Sequence, residues 1–345
     1  MTSTTRVQSL IIDHPATGSY TPDVLRLETR DLAALQVGEV RLRVLYLSLD
    51  PTNRNWLKLE PTNTVFEKIG RELCVGEPMV GEILGVVESA ADPRFVPGEY
   101  VGCVGEWQDR VNIPADRLRK LDYRADEPLT LHLTLFSHIG MAAMAGLLDI
   151  GQAKAGETVL VSAAAGATGS LVTGIAKAMG CKVIGIAGGP AKCAMVVDEF
   201  GADAAIDYKS QNVGDELERL APEGVNVFFD NVGGKIMDDA IMHMARGGRI
   251  TICGMMADYD MGDDRPGIKN MFQVLIRHLR IEGFLAGHYA FKAPEYYPRL
   301  RELNNQNAIH PRAHIAHGLN AVPEHLGLLF RGANDGKLIV KLDDS

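Results

Sequence analysis

The sequence lacks both a long hydrophobic run and an excess of positive charge. No stretch of about 18 apolar residues occurs, which argues against a membrane span. Residues 1–6 show none of the apolar core of a signal peptide. The formal net charge is −9, from 35 Lys and Arg against 44 Asp and Glu. We therefore expect neither a nucleic acid nor a membrane as a partner.

Cysteine is scarce, and its spacing argues against a C-x-x-C motif and against a zinc site. The number is odd, no C-x-x-C occurs, and the five cysteines are scattered: Cys74, Cys103, Cys181, Cys193 and Cys253. This usage predicts reduced thiols in a cytoplasmic protein. The ten histidines do not cluster with the cysteines as a zinc site requires, so the sequence predicts no metal.

The length of 345 residues allows two domains of ordinary size, and the pattern changes along the chain accordingly. Residues 1–127 carry short apolar runs separated by turn signals, which predicts an antiparallel, barrel-like β domain. In residues 128–304 an apolar helix over 132–148 precedes alternating strands and helices, the pattern of a doubly wound parallel sheet in an α/β fold. Residues 305–345 are too few for a domain, so we expect them to rejoin the first, which makes the second an insertion.

The predicted elements of the second domain are six strands and five helices, the strand number of a complete dinucleotide-binding fold. The strands are 158–162, 182–187, 204–208, 225–230, 249–253 and 280–286. The helices are 170–179, 191–200, 214–220, 235–245 and 268–278. A further helix over 294–307, a strand at 313–317, a helix at 323–331 and a strand at 337–341 complete the chain.

The turn at 163–170 carries the strongest motif. It aligns with the dinucleotide fingerprint G-x-G-x-x-G, with Ala164, Gly166 and Gly169 in the three glycine places and Ala167 and Thr168 between the last two. Small residues let backbone N–H groups approach a pyrophosphate, and the start of the following helix adds partial positive charge. The turn is therefore predicted to cradle the cofactor.

The end of the second strand favours NADPH over NADH. NAD sites usually place an acid there to hold the ribose diol, whereas residues 185–190 contain none. Lys192 is positioned to neutralise a 2′-phosphate, and Tyr208 ends the third strand, where it can donate a hydrogen bond. The alternative is that Lys192 is a solvated lysine of a first helical turn and Tyr208 an ordinary aromatic at the end of a strand.

Two further strand ends are expected to face the cofactor. Asn231 follows the fourth strand before two glycines that permit close backbone approach; capping the next helix is compatible with this role. Asp230 is predicted to be structural. Cys253 ends the fifth strand and is not expected to be a nucleophile. The methionines that follow, Met255, Met256 and Met261, form either an adaptable apolar wall or ordinary core.

Four segments together carry a family resemblance. They are Tyr46-Leu-Ser-Leu-Asp-Pro51, Ala163-Ala-Ala-Gly-Ala-Thr-Gly-Ser170, Phe229-Asp-Asn-Val-Gly-Gly234 and Gly248-Arg-Ile-Thr-Ile-Cys-Gly254. In this order they resemble the zinc-independent branch of the medium-chain dehydrogenase/reductase superfamily, which includes prostaglandin, 2-alkenal and curcumin reductases. The resemblance implies a GroES-like substrate domain (1–127 and 305–345) around a Rossmann NADPH-binding domain (128–304). It also implies NADPH-dependent reduction of the carbon–carbon double bond of apolar α,β-unsaturated ketones or aldehydes, and a homodimer paired through the last Rossmann strand.

The resemblance also implies roles for single residues. Tyr259 matches a Ser-x-Tyr-Asn loop near cofactor and substrate, and is the leading candidate to donate a hydrogen bond to the substrate oxygen. Cys253 would lie beside the nicotinamide ribose, and Phe284 and Leu285 would contact the carboxamide through the backbone. Asn334 matches the Asn of a Gly-x-Asn-x-Gly-Lys element that reaches the cofactor, although Asn-Asp-Gly is also simply a good turn.

The chain departs from the family pattern where relatives shape the substrate pocket. Thr52 stands where many relatives carry a Tyr near the substrate, so a shorter hydroxyl remains as a catalytic candidate. Met144 replaces the Tyr of a Gly-x-Thr-Ala-Tyr segment expected near the pocket. His138, on an apolar helix, is expected to be a packed core residue rather than an acid.

These departures leave three functions open. The first is the enone or enal reductase, and the second is a quinone reductase of the same superfamily. The third is a catalytically silent NADPH-binding scaffold or sensor, since binding alone would preserve the nucleotide site. A secondary-alcohol dehydrogenase is disfavoured, because in this superfamily that chemistry uses zinc.

Overall fold

The structure is a computed structural model that describes residues 5–60, 65–259 and 267–342. The chain divides into two compact units. The first comprises the chain up to Leu133, Ala313–Asn334 and the residues from Leu338 onward; the second comprises Thr134–Arg312 and Asp335–Lys337. The sequence predicted domain boundaries after residues 127 and 304. Each lies a few residues before the corresponding division between the two units, and these boundaries stay a prediction.

Strands and helices are numbered here in chain order. The strands are β1 (Thr5–Ile12), β2 (Leu25–Leu32), β3 (Glu39–Ser48), β4 (Val80–Ala90), β5 (Tyr100–Glu106), β6 (Arg110–Pro114), β7 (Arg119–Lys120), β8 (Thr158–Val161), β9 (Lys182–Ala187), β10 (Ala204–Asp207), β11 (Val225–Asp230), β12 (Met244–Ile252), β13 (Arg280–Gly283), β14 (Ala313–His317) and β15 (Lys337–Lys341). The helices are α1 (Pro51–Trp56), α2 (Val65–Ile69), α3 (Leu131–Thr134), α4 (His138–Met144), α5 (Ala167–Ala178), α6 (Pro190–Asp198), α7 (Val213–Leu220), α8 (Gly234–Met242), α9 (Phe272–Ile276), α10 (Ala293–Asn305) and α11 (Val322–Arg331).

The first unit is built on antiparallel strands. Within the described residues its larger sheet has the order β14-β15-β3-β4-β5-β7, with β6 also paired to β3, and a separate ribbon joins β1 to β2. Burial along β3 alternates over most of its length, as expected for a strand with one face in a core. The returning C-terminal segment joins this unit, because Leu326, Leu338 and Val340 pack in the same core as Leu42.

The second unit is a parallel six-stranded sheet with the order β10-β9-β8-β11-β12-β13. This is the doubly wound order of dinucleotide-binding folds, so the predicted α/β fold with a β-rich N-terminal domain is confirmed. Strands β8 and β11 lie at its centre. Their apolar side chains are fully buried because helices cover both faces of a parallel sheet; they are Val159, Leu160, Val161, Val225, Val227, Phe228 and Phe229.

The helix predicted over 132–148 is interrupted, which corrects that prediction. Helix α3 ends at Thr134, and α4 begins at His138 after Ser137, whose hydroxyl accepts the N–H of Ile139 at 3.1 Å. Such an N-cap starts a helix afresh. A π-helical stretch, Ala145–Ile150, then continues from α4.

Other differences concern where elements end. The helix predicted over 235–245 stops at Met242, because Met244 already pairs with Val225 and opens β12. The helix predicted over 268–278 is confined to α9. The strand predicted over 280–286 ends at Gly283, and a 3-10 turn over Ala286–Lys292 follows. No helix in the described part of the chain is both long and apolar enough to cross a membrane.

Candidate cofactor site

The turn between β8 and α5 is tight because the backbone folds back on itself. Ala163 adopts a left-handed conformation with φ of 48°, and its carbonyl accepts the N–H of Gly166 at 2.8 Å. A Cβ built on Gly169 would lie 2.2 Å from the same carbonyl oxygen. Only glycine therefore permits this start of the helix.

Alanine is accommodated in the first fingerprint place because a glycine lies beside it on the next strand. Ala164 is fully buried, and its N–H donates to the carbonyl of Ile186 in β9 at 2.9 Å. A Cβ built on Gly185 would lie only 2.8 Å from the Cβ of Ala164. The methyl group of Ala164 occupies space that Gly185 leaves, so the departure from G-x-G-x-x-G is a compensated exchange.

The start of α5 fits a pyrophosphate. Gly166 is the N-cap and presents no side chain, and a Cβ there would lie 3.1 Å from the carbonyl oxygen of Ala163. Ala167, Thr168 and Gly169 form the first helical turn, whose N–H groups have no acceptor within a helix. Their partial positive charge is what an anionic group requires.

The structure places Lys192 and Tyr208 at the carboxyl ends of the neighbouring strands β9 and β10. Lys192 lies half-buried in the first turn of α6, and Tyr208 directly follows β10 and is 47% exposed. A Cβ on Gly188 would lie 2.9 Å from Cε1 and 3.1 Å from Oη of Tyr208, so the ring covers this glycine. Burial lowers the pKa of Lys192; the charge of Lys209 lowers it further, and that of Asp335 opposes both.

Asp207 is a residue of this site that the sequence reasoning missed. Its carboxylate accepts the N–H groups of Gly189 at 2.7 Å and Lys209 at 3.1 Å, and the hydroxyl of Ser210 at 2.8 Å. The hydrogen bond from Gly189 is the main reason that the pKa of Asp207 lies below its usual range. The signal was present, since an Asp ahead of a Ser three residues later favours a side-chain-capped turn.

A buried polar network joins the ends of β8 and β11. Ser162 donates its hydroxyl proton to Asp230 at 2.6 Å and accepts the N–H of Asn231 at 2.8 Å. The amide of Asn231 donates to the carbonyl of Ser162 at 2.8 Å. Asp230 also accepts the N–H groups of Val232 at 2.9 Å and Gly233 at 3.0 Å. The network fixes Asn231 at the carboxyl edge of the sheet and gives Asp230 a structural role.

The same network brings the end of β12 to Asn231. The N–H of Cys253 donates to the carbonyl of Asp230 at 2.8 Å, and that of Met256 to the carbonyl of Asn231 at 3.3 Å. Tyr259 directly follows a 3-10 turn over Met256–Asp258. Its side chain is half-buried, and its hydroxyl lies 3.6 Å from a Cβ built on Gly254. Asn231, Cys253 and Tyr259 therefore lie together.

The thiol of Cys253 is unsuited to nucleophilic chemistry. Burial, and secondarily the charge of Asp230, raises its pKa to about 12. The thiolate, which is the reactive form, is therefore almost absent at neutral pH. No group of three or more His, Cys, Asp or Glu in the described ranges is arranged to hold a metal ion.

Phe284 and Leu285, two further residues predicted for the cofactor site, directly follow β13. Phe284 donates its N–H to the carbonyl of Ile252 at 3.3 Å, and its ring lies 2.9 Å from a Cβ built on Gly146. Leu285 is 54% exposed. Met255 and Met256 are half-buried rather than core, whereas Met261 lies outside the described residues.

Comparisons with known proteins agree on one family. Residues 167–304 match the family model described as zinc-binding dehydrogenase, and residues 8–121 match the N-terminal domain of oxidoreductase. NADPH-dependent curcumin reductase of Escherichia coli is 32% identical over 94% of each chain. The NADP(+)-dependent 2-alkenal reductase of Nicotiana tabacum is 34% identical over 88% of this chain and 87% of its own. The chain belongs to the medium-chain dehydrogenase/reductase superfamily.

A solved structure matches this chain over almost its whole length. CurA from Vibrio vulnificus, in complex with NADPH, superposes with a TM-score of 0.90 at 31% identity, covering 98% of this chain and 100% of its own. The predicted resemblance to the curcumin and 2-alkenal reductase branch is confirmed, and the chain is an oxidoreductase.

Thr52 and Met144, the two residues at which the chain departs from the pattern of the superfamily, differ in burial. Thr52 is half-buried on α1, and the next residue, Asn53, accepts the N–H of Asp50 through its side-chain oxygen at 2.7 Å. Met144 is completely buried, and its place near the substrate pocket stays a prediction. His138 is exposed at the first position of α4, so the expectation of a packed core histidine is wrong. Asn334 belongs to the first unit, and the residues after it, Asp335–Lys337, belong to the second.

Proposed function

We propose that this protein is an NADPH-dependent reductase that transfers a hydride to the carbon–carbon double bond of α,β-unsaturated ketones and aldehydes. The observation that carries the proposal is the network of Ser162 and Asp230, which gathers Asn231, Cys253 and Tyr259 at one sheet edge. The similarity of this chain's sequence to curcumin and 2-alkenal reductases supports the substrate class.

The choice of NADPH is supported by the charges at the end of β9. Lys192 and Tyr208 follow the carboxyl ends of β9 and β10, where we expect the 2′-phosphate to attach, and Asp207, the last residue of β10, directs its carboxylate to backbone N–H groups. An acid facing the ribose would repel the phosphate. The first turn of α5 would hold the pyrophosphate, and Asn231, Phe284, Leu285 and Asn334 would contact the nicotinamide half.

The chemistry assigns distinct tasks to this chain's side chains. NADPH, when bound, supplies the hydride that the β-carbon of the substrate accepts. Negative charge then develops on the carbonyl oxygen, and we assign Tyr259 to donate a hydrogen bond to it, because its hydroxyl lies over Gly254 beside Asn231. Thr52 would supply a second hydroxyl toward the substrate. Hydride transfer needs no covalent bond between enzyme and substrate, and the neutral thiol of Cys253 is consistent with this.

The test is NADPH oxidation with a panel of enals, enones, quinones and simple ketones. We expect turnover of enals and enones, and a loss of about 100- to 1000-fold in kcat for Tyr259→Phe, since one donor to a developing oxyanion is worth about that much. Tyr100→Phe, on β5 of the first unit, is the control and should be unchanged. Thr52→Val should lower activity and Thr52→Ser should restore most of it.

Three outcomes of the panel would contradict the proposal. Turnover of quinones alone would favour the quinone reductase. Turnover of ketones without enones would remove the double-bond assignment. NADPH binding without turnover of any acceptor would indicate the silent scaffold.

A homodimer is the second part of the proposal. Strand β13 ends the order of the described sheet, and α9 buries none of its residues within this chain. Large apolar side chains around them are exposed: Met271, Phe272, Leu275, Ile276 and Leu285. An open edge flanked by apolar surface is suited to pairing with a second copy.

Light scattering after size-exclusion chromatography tests the dimer. We expect twice the mass of 37.4 kDa for the wild type and the monomer mass for Leu275→Asp. Val37→Asp, at a residue 96% exposed in the first unit, is the control. A monomeric wild type would contradict the proposal.

We also propose a cytoplasmic location, supported by the five free cysteines. Thiol labelling of the protein denatured directly from cells should find all five reactive without prior reduction. Labelling of fewer thiols before than after reduction would contradict it.

A further inference from the structure

A second lysine lies at the same end of the sheet as Lys192 and Tyr208. A Cβ built on Gly188, in the loop after β9, would lie 3.0 Å from Cε of Lys209 and 2.9 Å from Cε1 of Tyr208. The stem of Lys209 therefore passes over the same glycine as the tyrosine ring. Nothing in the dinucleotide fingerprint points to this lysine, because it lies on the loop after the third strand.

The backbone of Lys209 is held in place by Asp207. The carboxylate of Asp207 accepts the N–H of Lys209 at 3.1 Å and, from the facing loop, that of Gly189 at 2.7 Å. One carboxylate thus ties the loop that carries Lys209 to the start of α6, the helix that carries Lys192. The hydrogen bonds of the carboxylate go to backbone N–H groups and the hydroxyl of Ser210, and the charge of Lys209 is the last of the causes that lower the pKa of Asp207.

The ammonium group of Lys209 differs from those of other lysines of this unit. Lys177 pairs with Asp203 at 2.8 Å, and Lys235 with Asp239 at 2.5 Å. Within the described residues Lys209 has no carboxylate within 4.0 Å. Its charge also acts on Lys192, whose pKa is lowered mainly by burial, raised by the charge of Asp335 and lowered further by that of Lys209. Two cations held near each other in this way favour an anion between them.

We propose that Lys209 is a cofactor-specificity residue, a second cation for the 2′-phosphate of NADPH alongside Lys192. The proposal rests on the proposed function, since it assigns a further residue to the same nucleotide site. Because Lys209 is solvent-exposed, its contribution is electrostatic and screened by salt. Its loss should weaken ligands that carry the 2′-phosphate and spare those that lack it.

Binding calorimetry with four probes tests the proposal without relying on turnover. The probes are NADPH, NADH, 2′,5′-ADP and 5′-AMP. For Lys209→Gln we expect about 5- to 20-fold weaker binding of NADPH and 2′,5′-ADP, and less than about 2-fold change for NADH and 5′-AMP. The difference should shrink between about 50 mM and about 500 mM salt. Lys209→Arg should restore binding, because it keeps the charge.

The control is Lys154→Gln, which removes one exposed lysine charge from the same unit. It should leave all four affinities unchanged. Equal weakening of NADPH and NADH by Lys209→Gln, or no weakening of either, would overturn the role of Lys209 if Lys192→Gln still weakens NADPH selectively. A wild type that binds NADH as tightly as NADPH would overturn the proposed cofactor itself. The two failures are thereby distinguished.

Discussion

Asp230 is the residue of the second unit whose loss should be most damaging. Its carboxylate is fully buried and accepts the hydroxyl of Ser162 and the N–H groups of Val232 and Gly233. Asp230→Ala leaves three donors without this acceptor. Each unmade buried hydrogen bond costs about 1–3 kcal/mol. We take the lower half of that range, because the space left by the carboxylate can admit a water, and expect a loss of about 3–6 kcal/mol.

A loss of this size is a large share of the stability of an ordinary domain, about 5–15 kcal/mol. Asp230→Asn keeps one carbonyl oxygen for the backbone donors and should cost less than Asp230→Ala. Asp239→Ala is the matched control, since it removes an aspartate that pairs with the exposed Lys235. Exposed pairs of this kind contribute about 0–1 kcal/mol.

The assay is thermal unfolding by circular dichroism together with hydrogen exchange of the peptide containing Val232 and Gly233. A loss of about 3 kcal/mol corresponds to exchange about 100-fold faster. Both tryptophans, Trp56 and Trp107, lie in the first unit, so their fluorescence follows that unit separately. If Asp230→Ala and Asp239→Ala shift unfolding equally, or if exchange of this peptide is unchanged, the structural role assigned to Asp230 is refuted.

Three further predictions concern pH, the thiol and the phosphate turn. The N–H of Gly189 holds the pKa of Asp207 below its usual range. The ionised carboxylate of Asp207 therefore stabilises the folded protein above the unfolded pKa of about 4, and this stabilisation is lost as the pH falls through the folded pKa. Asp207→Asn should flatten the acid side of a plot of Tm against pH, and an unchanged slope would contradict this. Cys253→Ser should keep at least about half of the wild-type kcat, because a pKa of about 12 leaves the thiol neutral; a 100-fold loss would restore a catalytic role. Gly169→Ala should lower Tm by about 4–8 °C, since its Cβ would lie 2.2 Å from a carbonyl oxygen, and Gly166→Ala, at 3.1 Å, by clearly less.

The parallel sheet could be predicted because strands buried on both faces appear in the sequence as short runs of apolar residues. Strand β9 lies where the sequence predicted it, and β8 and β11 differ by at most one residue, since apolar runs between glycines admit few alternatives. The start of β12 could not be predicted in this way. Met244 pairs with Val225 across an irregular register before the glycines that follow, and such a long-range pairing leaves no local pattern.

The candidate site divides along the same line. The fingerprint turn was predictable, because backbone geometry near a phosphate restricts which residues fit. The roles of Asp207 and Lys209 were not, because they arise from a carboxylate that reaches the N–H of Gly189 on a neighbouring loop. Helix breaks were missed for a related reason: Ser137 acts as a cap only once the chain before it turns.

The two acids at the carboxyl edge of the sheet show how this fold keeps negative charge from its cofactor site. Asp207 and Asp230 follow one design, since each carboxylate accepts two backbone N–H groups and one serine hydroxyl. Each therefore shapes a loop while its charge is directed into the protein. In the proposed site the nucleotide would meet the cations Lys192 and Lys209, with Asp335 acting on the first of them, and the neutral Asn231 and Cys253. In the site that we propose, a 2′-phosphate would meet the cations and a developing enolate would meet the neutral hydroxyl of Tyr259, and the inward direction of both carboxylates favours each of these contacts.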